Sequence, residues 1–350
     1  MKKRLFSMFM VSLMAGAMMI GCGDKTTDGK DAKTEVASDG QTYKVGIIQY
    51  VDDASLNQIV DSLEKQLDVL AEEKGVTFEY EDYYCNGQAD STTINQMVSE
   101  LINDEVDILV PIATPTAMIC QAATEDNQIP VVFAAVSDPE GAGLVASNDA
   151  PGSNVTGTSD ALNTEAVLDL MIEQDRDLSK VGLLYDKSQD ASAAPIAAAK
   201  EYLDAKGIDY VEKTGTTNDE VMLAADALIA ADVEAVFTPT DNTIMTAELG
   251  IYEKFIEAGI PHYCGADSFA LNGAYLGYGV NYATLGTETA NMVAEILVDG
   301  KDPATLPVKV LDNGTATVNT DTAEALGLDY EKLRDLCDGF VEIQTAEEFE

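Results

Sequence analysis

The chain has no tryptophan, one histidine, and only 20 basic residues against 62 acidic ones in 350, a formal net charge of −42. Each shortage excludes something. With so few cations, phosphate backbones would be repelled, so nucleic-acid binding is ruled against. Docking to anionic lipid through basic patches is ruled against for the same reason. A lone His262, within Gly-Ile-Pro-His-Tyr-Cys, leaves little room for a Ser-His or Cys-His nucleophile. It also leaves no histidine set for a metal, and no cofactor is expected. The sequence holds no G-x-S-x-G, no Walker A and no G-x-G-x-x-G. The five cysteines include no C-x-x-C; beyond Cys22, the set Cys85, Cys120, Cys264 and Cys337 allows three disulfide pairings or four buried thiols.

Long apolar runs are also scarce, and the one present is terminal. Lys2, Lys3 and Arg4 precede an apolar stretch, Leu5–Ile20. It is shorter than the roughly 20 residues of a membrane span and has the length of an export signal. It ends in Met19-Ile20-Gly21-Cys22, a small residue just before a cysteine, as in a bacterial lipobox, where the thiol is acylated. The alternative is an ordinary secretory signal with an incidental cysteine. Residues 23–42 are rich in Gly, Asp, Lys and Thr, cannot form a core, and would tether the body over about 25 Å. Together these place residues 43–345 outside the cytoplasm on a lipid anchor.

The body is long enough for two domains, and it alternates strand and helix. Tyr43–Val51 reads as a buried strand, and Leu56, Ile59, Val60, Leu63, Leu67 and Leu70 form one helical stripe. Asp53 or Ser55 would cap that helix, with Ser55 and Gln58 as a capping box. Strands at 76–84, 106–113 and 129–136 alternate with helices at 90–103 and 115–125. After the aperiodic 138–153 a second series begins at Asn154. It has strands at 179–186, 208–214, 233–240, 260–267 and 273–281 and helices at 192–206, 218–231 and 243–258. A helix at 284–299 and a short strand at 306–312 close the body. Such βαβ series predict parallel sheets with helices on both faces.

The two series share a plan. Lys44-Val45-Gly46-Ile47-Ile48 aligns with Lys180-Val181-Gly182-Leu183-Leu184, and each series later carries Thr-Pro-Thr, at 114–116 and 238–240. Thr as N-cap and Pro at the first helical position would start a helix whose free amides and dipole favour an anion. Ligands of open parallel sheets bind beyond the carboxyl ends of the strands. There the sequence places Gln49, Tyr50, Thr114, Thr116, Ser137, Asp138, Asp160, Tyr185, Asp241, Asn242, Asp267 and Tyr278, with no Lys or Arg. The set suits a small zwitterion: hydroxyls and helix amides for a carboxylate, and Asp241, Asp160 or Asp267 for an ammonium. The three tyrosines would stack on a ring or fill the cleft wall.

Several blocks in order also resemble the bacterial ABC-transporter substrate-binding lipoproteins of tryptophan/tyrosine-type uptake systems, which are type I periplasmic-binding-protein-like. They are Val45–Leu56, Asp107–Ala117, Ile129–Val145, Gly152–Asp160, Val236–Thr243 and Gly273–Tyr282. The resemblance implies two Rossmann-like lobes with parallel sheets and three hinge crossings, near 156–160, 278–282 and 301–307. The first lobe would be 43–157 plus 281–302, the second 158–280 plus 303–345. It implies a monomer that traps an amino acid, expected to be aromatic, and delivers it to a permease with a separate ATPase subunit. An extracellular sensor or a binder of another small molecule is the alternative; the catalytic inventory argues against an enzyme.

Overall fold

The computed structural model describes residues 40–346 except 312, together with 348 and 349. The export signal, Cys22 and nearly all of the expected tether lie outside the described residues. No helix among the described residues is long and apolar enough to cross a membrane.

The first βαβ series runs β1 (Thr42–Gln49), α1 (Ala54–Lys74), β2 (Thr77–Glu79), β3 (Tyr84–Asn86), α2 (Ser91–Asn103), β4 (Ile108–Ile112), α3 (Thr114–Thr124), β5 (Val131–Phe133) and β6 (Val155–Ser159). The apolar stripe of α1 is buried as its spacing predicts, and Gly75, at φ +66, ends the helix in the left-handed conformation. The single strand expected at 76–84 is split by a 3-10 turn at Glu81–Tyr83, and both pieces pair with β1.

The second series runs α4 (Thr164–Gln174), β7 (Lys180–Tyr185), α5 (Asp190–Lys206), β8 (Asp209–Thr214), α6 (Asn218–Ile229), β9 (Ala235–Thr238), α7 (Asn242–Ala258), β10 (His262–Cys264), α8 (Asp267–Leu271) and β11 (Leu276–Gly279). The chain then returns through α9 (Tyr282–Leu297) and β12 (Lys309–Val310). It ends in β13 (Thr315–Asn319), α10 (Thr320–Leu326) and β14 (Gly339–Ile343).

Two seven-stranded sheets result, ordered β12-β6-β5-β4-β1-β2, with β3 also on β1, and β14-β13-β11-β10-β9-β7-β8. In the first sheet β1 lies between β2 and β4, and in the second β7 lies between β8 and β9, so the strand order reverses beside β1 and β7. Every pairing is parallel except β11 with β13. Helix α9 packs on α1. Strand β12 pairs with β6, so 303–310 belongs to the first lobe, and the third crossing follows Val310 instead of lying at 301–307. Similarly β6 extends the first lobe to Ser159. Helices α4, α8 and α10 and strands β13 and β14 were not expected.

One buried apolar cluster joins the first lobe to one face of the second sheet, reaching from Ile47 and Leu63 to Met245 and Phe255. A second cluster, around Leu183, Phe237, Tyr263 and Tyr275, fills that sheet's other face. In the first lobe α1 and α9 approach so closely that a Cβ on Gly286 would stand 2.3 Å from the Ile59 carbonyl oxygen. Gly286→Ala should therefore force these helices apart and cost about 1–3 kcal/mol, seen as a lower midpoint in thermal unfolding.

Candidate functional site

The two Thr-Pro-Thr turns do different jobs. Across the sheets Ile108 lies opposite Val45, and Ala235 opposite Val181. With those valines equivalent, Thr114 corresponds to Asp241, and the second Thr-Pro-Thr sits three residues earlier in its lobe. Thr114 and Pro115 open α3, and the cap residue is Ala113, not a threonine. Ala113 holds φ +77, a strained value for a residue with a Cβ, and its N–H donates to the Ala134 carbonyl. No side chain caps α3, so its first amides point out of the helix without a capping acceptor. Thr116 is buried just behind, its Oγ1 unpartnered.

In the second lobe Thr238 ends β9 and contacts His262 Nε2 at 2.8 Å, while Thr240 donates to the Gly265 carbonyl. Asp241 is the N-cap of α7. Its Oδ1 accepts from the amides of Thr243 and Ile244, and its Oδ2 from the Asp186 amide and the Ser192 hydroxyl. Burial pushes its carboxyl up to about 6, against the pull of those donors. With four donors from its own lobe, Asp241 ties α7 to α5 and to the end of β7.

Between the lobes lies a small cavity of about 10 Å³, room for about one water. Leu56, Ala113, Thr114, Ala135, Ser137, Asp160 and Tyr282 face Ala191, Thr240, Asn242 and Met245 across it. Asp160 follows β6 at the first crossing. It accepts from Ser137 Oγ at 3.0 Å and from the Tyr282 hydroxyl at 3.3 Å. Burial raises its pKa, partly offset by these two bonds. No lysine or arginine lines the cavity. A separate interlobe pocket, which shares Thr114 with this cavity, has Tyr50, Ser91, Thr114 and Met118 on one side and Asp186, Gln189 and Thr243 on the other.

Of the residues expected at the site, Thr114, Ser137, Asp160 and Asn242 line the cavity and Tyr50 lines the neighbouring interlobe pocket. Asp138 stands in a side pocket, its Oδ1 accepting from the Gly141 amide. Three others turn away. Gln49 spends its amide on the Val51 carbonyl, Asn57 and the Tyr84 hydroxyl, all in the first lobe. Tyr185 donates to Glu212, which also pairs with Lys200. Tyr278 packs in the second lobe's apolar cluster. Asp267 bonds across to the first lobe, accepting from Ser55 Oγ and Gln58 Nε2.

Tyr282, Leu56, Ala191 and Met245 were not anticipated. Tyr282 had a signal: Asn281 caps α9 through the Thr284 amide, so Asn-Tyr-Ala-Thr marks a helix start at a crossing. The four described cysteines are free thiols. Cys264 lies with Glu248 and His262 in a buried group whose ligand atoms are within 4.8 Å of one another. Both imidazole nitrogens there already meet Thr238 and Glu248, so the group braces β9 and β10 against α7.

A family model described as ABC transporter substrate binding protein matches residues 44–334. A tyrosine-binding protein of Clostridioides difficile (strain R20291) is 30% identical over 333 residues, 95% of this chain and 94% of that protein. Among solved structures, an ABC domain from Streptococcus pneumonia in complex with L-Trp is similar with a TM-score of 0.78. That likeness is at 26% identity and covers 86% of this chain and all of that one. The ligand-free, open structure of a Clostridium difficile substrate-binding protein with adhesive properties gives 0.67 at 30% identity, over 87% of this chain and all of that one.

The buried carboxylates set a pH dependence. Burial pushes Asp53 up to about 7 and Asp241 to about 6, and raises Asp160 and Asp267 as well. Between about pH 4 and pH 7 the folded chain therefore holds protons that the unfolded chain releases, and stability is lost as pH rises through that window. Calorimetry should find a higher unfolding midpoint at about pH 5.5 than at about pH 8, and Asp53→Asn, which keeps an N-cap, should shrink the difference.

Proposed function

The chain belongs to the family of ABC transporter substrate-binding proteins, and on that premise we propose that it captures an aromatic amino acid between its lobes and delivers it to a membrane permease. The observation that carries this reading is Asp160: a buried carboxylate with two neutral donors, facing a cavity that no lysine or arginine lines. An ammonium group supplies the missing cation. At the other side the free amides of α3, with Thr114 and Asn242, suit the ligand carboxylate. Leu56, Met245 and the alanines offer an apolar wall for the ring, and Tyr50 stands in the neighbouring interlobe pocket.

A cavity of about 10 Å³ is far below the roughly 300 Å³ of a small-molecule pocket. The ligand therefore enters when the lobes part about the three crossings, and closure wraps it. The higher similarity to the L-Trp complex than to the open, ligand-free relative, despite lower identity, supports a closed arrangement here. The protein binds without turnover, acts as a monomer, and hands its ligand to a permease whose ATPase is a separate subunit. The lipid anchor on Cys22 would keep it on the outer face of the membrane.

Isothermal titration calorimetry tests the ligand. L-tyrosine, L-tryptophan or L-phenylalanine should bind, while tyramine, which lacks the carboxylate, should not. Asp160→Asn should weaken binding by about 10- to 100-fold, the worth of a bond to a charged partner. No heat with any of the three amino acids, or full affinity in Asp160→Asn, would refute the assignment. Separately, Cys22→Ala should release the protein from the membrane fraction into the medium.

A further inference from the structure

The lobes also meet at a second place, away from the cavity lining. Ser55, in the first turn of α1, belongs to the first lobe; Asp267 and Ser268, at the start of α8, belong to the second. The Ser55 hydroxyl donates to Asp267 Oδ1 at 2.5 Å and accepts from the Ser268 amide at 3.1 Å. Gln58 Nε2, one turn further along α1, donates to Asp267 Oδ2 at 3.1 Å. Thus both oxygens of one half-buried carboxylate in one lobe are held by donors of the other. Helix α8 has no side-chain cap of its own, so Ser55 supplies from across the cleft what the second lobe lacks. None of Ser55, Gln58, Asp267 or Ser268 lines the ligand cavity.

We propose that Ser55, Gln58 and Asp267 form an interlobe latch that sets the open–closed equilibrium, and through it the ligand affinity, without touching the ligand. The three bonds form only when the lobes are together, so they favour the closed form in proportion to their strength. A site competent in only a fraction of molecules binds with its affinity reduced by that fraction, so the latch acts as positioning residues for capture. The effect of the latch on affinity rests on the binding reading above, whereas its effect on closure does not.

Two features make the latch testable apart from folding. Gln58 is partly exposed, and Gln58→Glu keeps its shape while placing a second carboxylate against Asp267. The remaining titratable groups around Asp267 are Asp53, beside it at the α1 cap, and Tyr282 of α9. The native chain therefore has to be measured at each pH alongside the variant. The combination of Gln58→Glu with Asp267→Asn reverses donor and acceptor and restores the pair.

Small-angle scattering of the full exported chain without ligand reads closure directly. Gln58→Glu should increase the radius of gyration at about pH 8, and return toward the native value at about pH 5 as the new pair shares a proton. The double variant should be closed at both. In ligand titrations Gln58→Glu should bind about tenfold more weakly at about pH 8, with faster release, and the double variant should recover most of this. If Gln58→Glu scatters like the native chain at both pH values, or if the double variant is no better than the single one, the latch is refuted, whatever the ligand proves to be.

Discussion

Carboxylates buried without cations are the constraint around which this molecule is arranged. Asp53, Asp160 and Asp241 are buried and Asp267 is half-buried, all at or near the lobe interface, and none has a lysine or arginine among the groups that perturb it. Burying a charge is costly unless hydrogen bonds or a counter-charge replace its water. Here neutral donors do most of that replacement, and which lobe and which elements those donors come from sets the four carboxylates apart.

Asp241 has four donors, all from its own lobe, and is spent on structure. Asp53 caps α1 through the amides of Ser55 and Leu56, and burial pushes its carboxyl up to about 7. Asp267 is held from the opposite lobe, so its environment is complete only when the lobes meet. Asp160 has two donors, one of them long at 3.3 Å, and it alone of the four faces the cavity. On the readings proposed above, the same residue type serves as helix cap, latch and ligand group.

Much of this plan was legible in the sequence. The stripe from Leu56 to Leu70, the paired Lys-Val-Gly starts and the strand-end positions of Thr114, Ser137, Asp160 and Asn242 follow from local period and topology. The rest depended on contacts that no local pattern carries. Tyr278 and Tyr282 are four residues apart. Tyr278 lies in β11 opposite Ala316 of a strand that was not expected, which fixes its ring in the core. Tyr282, past the strand and inside α9, meets Asp160. Asp241 and Asp160 could not be ranked from sequence, because two of the donors to Asp241 come from Asp186 and Ser192, about 50 residues away. The Ser55–Asp267 contact joins residues 212 apart. The repeated Thr-Pro-Thr was a true sign of the twofold plan and a poor guide to equivalent atoms, because its copies are offset by three residues.

That offset, and the first turn of α1, explain how capture and closure are tied together. Thr114 opens a helix with free amides, while its counterpart Asp241 uses its carboxylate to quench the amides of α7. Only the first lobe therefore presents an anion-seeking helix start on this pair of elements. Ser55 and Leu56 are consecutive residues, yet Ser55 bonds to the second lobe and Leu56 walls the cavity. On the proposed reading, a ligand that displaced Leu56 would shift the same helical turn that carries Ser55, and Asp53 fixes that turn from its cap. The fit of the ligand's apolar part and the engagement of Asp267 would thereby be read by one rigid element, so that on this proposal a ligand of the wrong size costs both wall contact and interlobe bonds.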